Sequence, residues 1–180
     1  MAAKSTIFKA ALQIVDMDRH YYADHGLTLA RHPSETDETM MVRLLAFALH
    51  ADSLLSFGQG MSNEEQADLW KKDLTGAIEL WIDVGMPDER LVRKACGRSG
   101  QVFIYCYGGR TAEMWYAQNQ AQFARQRNLT VILLPIEATR ALAGLAQRSM
   151  ELQCLIQDGQ VTFSDAGTRI DVELRPCQPA

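Results

Sequence analysis

The chain has 180 residues, 47% of them apolar and 22% charged, which is enough for one domain with a substantial core and excludes a disordered chain. The formal net charge of −4 argues against a protein that coats nucleic acid by bulk attraction, though it permits a local basic groove. No apolar run approaches the ~20 residues that span a bilayer, and lysines interrupt the N-terminal MAAKSTIFKAALQIV where a secretory signal would be apolar.

Residues 5–15, STIFKAALQIV, read as a strand. A polar turn at 16–18 leads into a returning strand over 20–31, with a bulge expected at Gly26, so the chain should open with a hairpin. His32-Pro33-Ser34 stops it, and Ser34 is the expected N-cap of a helix reaching about Ala51. Acids in its first turn suit the helix dipole, and Met41, Leu44, Leu45, Ala48 and Ala51 recur at helical spacing. A short strand at 54–57, an acidic loop at 62–66 and a strand at 67–72 follow, and 73–76 is a turn.

GAIELWIDVGMP, residues 76–87, is the most informative stretch. Ile78, Leu80, Ile82 and Val84 alternate with Glu79, Trp81 and Asp83, so a strand with one apolar face should carry acid, tryptophan and acid on the other. Pro87 starts a helix that ends near Gly97. An apolar strand is expected at 101–107, and a helix over 112–127 capped by Thr111. A continuous apolar strand at 129–134 suits burial on both faces, and a helix is expected at 137–147. The tail, 150–174, reads as strands split by turns at 158–159 and 165–167. The order predicts a single mixed α/β (α+β) domain with antiparallel additions at both ends.

Cysteines 96, 106, 154 and 177 form no CxxC pair and have no zinc spacing with the scattered histidines, so a reduced, cytoplasmic chain without a structural metal is expected. The chemistry lies in the carboxylates. Asp68 and Trp70 should pair with the acidic strand through the 73–76 turn, and Glu38 on the first long helix could reach the same place. Clustered carboxylates repel unless a hard cation holds them, and Mg²⁺ takes one or two carboxylates plus water. Near a phosphodiester, such a cation generates hydroxide and neutralises developing charge. Asp83 reads instead as a partner for the helix start or for a basic side chain.

Three segments, ARHPSETDETMMVRLLAFALHA, ELWIDVGMPDERLVRKAC and MELQCLIQDG, together with STIFKAALQIVDMDR at the N-terminus, make the chain resemble the YaeQ family of bacterial proteins over nearly its whole length. The resemblance implies a variant of the PD-(D/E)XK nuclease fold, a mixed sheet flanked by helices. It places the first motif acid on Asp68, after Ala67 in place of the usual proline, and the second on Glu79. The motif lysine is replaced by Trp81. Related nucleases move that lysine to a neighbouring helix, where Lys94 is the candidate and Lys72 the second. Glu38 matches the glutamate of the leading helix, and the Leu80 carbonyl would be a further ligand of a Mg²⁺ held by Asp68 and Glu79. Arg90, Arg93 and Arg98 would contact phosphates of a nucleic-acid substrate, and no membrane partner is expected. Trp81 and the acidic net charge favour a second reading, a non-catalytic binding or scaffolding module that keeps the acidic pocket. A third is a nucleotide or phosphate-ester enzyme using the same metal chemistry on small substrates.

Overall fold

Among the described residues, two mixed sheets and four helices lie in alternating layers. The computed structural model describes residues 4–59 and 65–178. Strands β1 (Thr6–Asp16) and β2 (Tyr21–Arg31) form the expected hairpin, closed by a turn in which His20 adopts a positive φ of 56°. Their register runs without interruption from Thr6↔Arg31 to Asp16↔Tyr21, so Gly26 sits in a regular ladder and the expected bulge is absent. Helix α1 (Asp37–His50) is capped by Thr36, which accepts from the Thr39 N–H, and not by Ser34, whose hydroxyl instead meets the His32 ring.

Strands β3 (Leu55–Phe57), β4 (Leu69–Lys72) and β5 (Ile78–Val84) follow as an antiparallel run. Residues 62–64 of the expected acidic loop lie outside the described residues. Helix α2 (Glu89–Arg98) starts two residues later than Pro87 suggests, because Asp88 is its N-cap and accepts from the Arg90 N–H. Strand β6 (Ser99–Cys106) leads to α3 (Arg110–Phe123), which begins at Gly109 and not at Thr111. Gly109 has a φ of 64°, a backbone state that glycine tolerates best. Strand β7 (Leu129–Leu133) and helix α4 (Ile136–Ala143), shorter than its alanine-rich composition suggests, complete the middle.

The tail gives β8 (Ser149–Gln157), β9 (Gln160–Ser164) and β10 (Arg169–Val172), with the 158–159 turn where expected. A last strand, β11 (Arg175–Gln178), lies beyond the expected strands and pairs antiparallel with β7. The additions at the two ends are joined: β1 pairs in parallel with β8, giving the sheet β10-β9-β8-β1-β2. The second sheet has the order β11-β7-β6-β5-β4-β3, with β5, β6 and β7 parallel.

Helix α1 lies in the core between the two sheets. Residues from Met40 through Ala48 are all buried, which suits a helix apolar on nearly every side. Phe8, Leu12 and Ile14 of β1 and Leu152 of β8 meet it from one side, and Leu69, Ile82 and Tyr105 of the second sheet from the other. The opposite face of the second sheet, with Trp81, Val102 and Val131, forms a separate core under α2 and α3. No helix among the described residues is long and apolar enough to cross a membrane.

The strand that carries the acids is less regular than its alternation suggests. Lys72 pairs with Ile78 but Lys71 with Leu80, which leaves Glu79 as an extra residue opposite β4. Ile78 therefore packs in the core under α2, while Leu80, Ile82 and Val84 pack towards α1. Gly100 lies where the chains crowd: a Cβ there would stand 2.9 Å from the Glu79 carbonyl oxygen.

Candidate functional site

The register shift sets the geometry of the acids. From Leu69↔Ile82 the next pair outward is Asp68 and Asp83, so these two carboxylates face each other across the strands. Both are buried, at 5% and 2% exposure. The Asp68 backbone N–H donates to Asp83 Oδ1 at 3.1 Å, and the Val84 N–H donates to Asp68 Oδ2 at 2.8 Å. The Trp81 indole, two residues along the same face, donates to Asp83 Oδ2 at 2.9 Å. These bonds cross-link the ends of β4 and β5 around two acids.

The pair lines a cleft of about 250 Å³ at the C-terminal end of β5. Glu35 and Thr39 form one wall, and Met86, Pro87 and Leu91 the other. Ends of parallel strands leave such crevices because each chain departs into a helix on one face of the sheet. The Glu35 carboxylate is turned onto Arg43, at 2.5 Å, with both side chains nearly inaccessible. The Tyr107 hydroxyl hydrogen-bonds to Thr39 Oγ1 at the end of β6. Burial raises the Tyr107 pKa above its ordinary value, and the nearby charges of Glu38, Glu35 and Asp68 add to that shift. Tyr107 is accordingly a phenol at neutral pH, within reach of the charges of three carboxylates.

The structure thus brings Asp68 and Glu38 to one region but leaves Glu79 out. Glu79 precedes Asp83 by four residues, roughly 13 Å along a strand. It is exposed and pairs with Lys71 at 3.4 Å. Asp68 and Glu79 therefore do not fit a single cation, and the Leu80 backbone, held in the ladder between Lys71 and Gln101, is not beside the Asp68–Asp83 pair either. The carboxylate that lies opposite Asp68 is that of Asp83. Its partners include the Trp81 indole and the Asp68 backbone N–H. Its sequence signal was the Trp81-x-Asp83 spacing, which puts both on one strand face.

Lys94 is exposed on α2, three residues after Leu91 and so beside it on the helix surface that borders the cleft. Lys72 stands over the Trp70 ring, 3.8 Å from its centroid, and is not directed to the acids. Arg90 and Arg93 lie near Asp88 and Glu89 at 3.6 and 3.7 Å, and the Arg98 guanidinium lies 5.6 Å from the Trp81 ring centroid. Trp81, expected in the motif lysine position from the resemblance, is buried in the core under α2.

The donors at the cleft floor are carboxylate oxygens, which suit a hard divalent cation. Among the described residues no group of three or more His, Cys, Asp or Glu side chains is placed to hold a metal. The fit is therefore to an ion that needs only one or two protein carboxylates and keeps its water, as Mg²⁺ does.

Residues 1–174 match the family model described as YaeQ protein. The chain belongs to the YaeQ family. It is 42% identical to "Uncharacterized protein YaeQ" of Salmonella typhi over 178 residues, 99% of this chain and 98% of that protein. It is 41% identical to the protein of the same name from Escherichia coli (strain K12), with the same coverage. The crystal structure of YaeQ protein from Xanthomonas axonopodis pv. citri superposes with a TM-score of 0.93 at 50% identity, over 98% of this chain and 99% of that one. That of YaeQ protein from Pseudomonas syringae superposes at 0.92 and 31% identity, over 98% and 97%. The two-sheet architecture described above is thus the YaeQ architecture.

Proposed function

We propose that the cleft at Asp68 and Asp83 holds one hard divalent cation such as Mg²⁺, and that this YaeQ-family protein hydrolyses phosphodiesters of nucleic acid, as a variant of the PD-(D/E)XK nucleases. One observation carries the reading: the strand register sets two buried carboxylates face to face at the floor of an open cleft. The cation, when bound, would supply Lewis-acid stabilisation of a phosphoryl oxygen and a more acidic water. Asp68 and Asp83 hold it. The Trp81 indole fixes the orientation of Asp83, and Glu38, whose charge is felt at Tyr107, orients a water. Tyr107, kept protonated, supplies a donor. Lys94 brings a positive charge to the phosphate from α2, and Arg90, Arg93 and Arg98 on that helix meet neighbouring phosphates.

A second reading, a non-catalytic binding module, is favoured by one feature: both Asp83 oxygens already accept hydrogen bonds, so the acid also serves as a brace. Titration with Mn²⁺ or Mg²⁺, followed by tryptophan fluorescence, and nicking of supercoiled plasmid separate the two. Binding and nicking, both lost in Asp68→Asn and kept in Glu79→Gln, are expected. Binding without nicking of DNA or RNA selects the module. Absence of binding, or equal binding by Asp68→Asn, removes the metal site from both.

A further inference from the structure

The outer edge of the first sheet is a strand that carries no proline, lysine or bulge. Strand β2 spans Tyr21–Arg31 and, among the described residues, pairs with no strand other than β1. The Lys9 and Met17 N–H groups donate to Arg148 and Ile156, so the odd residues of β1 turn towards β8. The even residues of β1 then bond to β2, and their opposite numbers there are the odd ones. It follows that Tyr22, Asp24, Gly26, Thr28 and Ala30 point their N–H and C=O groups away from the sheet. One of these carbonyls, that of Ala30, accepts from Arg43 at 3.2 Å and keeps a second acceptor site.

Soluble proteins protect long edges with proline, lysine, a bulge or a covering segment, because such edges recruit further strands. β2 has none of the first three: its sequence is YYADHGLTLAR and its register is continuous. Its core-facing side is also incompletely covered. Tyr21, Ala23, His25 and Leu27 are half-buried, whereas Phe8, Ala10, Leu12 and Ile14 of β1 are at most 5% exposed.

We infer that this edge pairs with the same edge of a second copy, in an antiparallel β2–β2 interface whose two-fold axis passes at Gly26. The strand is complementary to itself in that register. Gly26 meets Gly26 of the partner, and a Cβ at this position contacts nothing within 4 Å in the monomer. The outward-pointing residues become hydrogen-bonded pairs, Asp24 with the partner's Thr28 and Tyr22 with the partner's Ala30. On the core side Tyr21 faces the partner's Arg31, and His25 the partner's Leu27. No like charges face each other, and the two five-stranded sheets become one of ten.

Light scattering on the whole chain tests this, with hydrogen exchange as an independent readout. A mass near twice 20.2 kDa is expected for the wild type, and a mass near 20.2 kDa for Gly26→Lys, which sets two ammonium groups against each other at the axis. Thr28→Pro, which removes an outward N–H and spares the β1 ladder, should give the same loss. In the wild type the amides of Tyr22, Asp24, Gly26 and Thr28 should exchange slowly, and faster on dilution. A wild type of 20.2 kDa with these amides exchanging fast overturns the inference, even if an extended peptide then binds the edge. A dimer that survives both substitutions, with these amides still unprotected, places the contact elsewhere and also overturns it.

Discussion

Replacing Asp83 by asparagine isolates what the cross-strand bonds contribute. Asp83 accepts from two buried donors, the Asp68 N–H and the Trp81 indole. An asparagine offers one oxygen in place of two, so one donor is left facing an NH₂ group. An orphaned buried donor costs roughly 1–3 kcal/mol. Neutralising Asp83 also relieves repulsion from Asp68, which offsets part of that loss. Asp68→Asn relieves the same repulsion, yet its single oxygen can still accept from the Val84 N–H. Of the hydrogen bonds described, Asp68→Asn keeps its one and Asp83→Asn loses one of two. Asp83→Asn should be less stable than Asp68→Asn by about 2 kcal/mol, a gap of about 4–8 °C in Tm for a domain of this size. Urea unfolding followed by tryptophan fluorescence, and thermal unfolding by circular dichroism, both in EDTA, would measure it. If Asp68→Asn is equally or more destabilised, the brace described here is wrong.

Two further outcomes follow from buried groups. Burial, with a smaller contribution from the Arg19 charge, lowers the His50 pKa from its usual 6.5 to about 4, and its Nε2 hydrogen-bonds to the Tyr105 hydroxyl at 2.5 Å. The unfolded chain then binds more protons than the folded one between pH about 6.5 and 4, so stability is full above that window and falls as pH drops through it, by about 3 kcal/mol from this histidine. Urea midpoints at pH 7 and pH 4.5 should converge in His50→Gln; an unchanged pH dependence would count against a neutral buried imidazole. Removing Arg43, whose side chain is 3% exposed against 5% for Glu35, leaves a buried carboxylate unpaired. Arg43→Met should lose about 3–5 kcal/mol in urea unfolding, and adding Glu35→Gln should recover part of it; a neutral Arg43→Met would show that the pair is hydrated in solution.

Much of the fold was legible because it is written locally. The N-terminal hairpin, the apolar helix over 37–50, the parallel core strands and the 158–159 turn all follow from alternation, helical spacing and turn residues that neighbours in sequence supply. Helix starts were displaced by two residues, since Thr36, Asp88 and Gly109 compete with equally plausible caps nearby. The acidic strand was found, and so were Asp68 and Glu38 as residues of one region. Glu79 was expected beside Asp68 because the pattern 79, 81, 83 looks continuous when read as a string, and the structure sets it apart, on Lys71.

What the amino-acid order determined alone was which segments form strands and helices, and which of their faces are apolar. Tertiary structure decided the pairings between distant segments: β1 beside β8, β11 beside β7, and above all the extra residue at Glu79. Side chains on a strand alternate with a period of two, so a shift of one residue exchanges the two faces. Without that shift Asp68 would lie opposite Ile82; with it, Asp68 meets Asp83 and Glu79 turns to solvent. No local signal encodes the shift, because it depends on which arrangement lets Trp81 pack under α2 while Ile82 faces α1, a choice made only when both layers are in place.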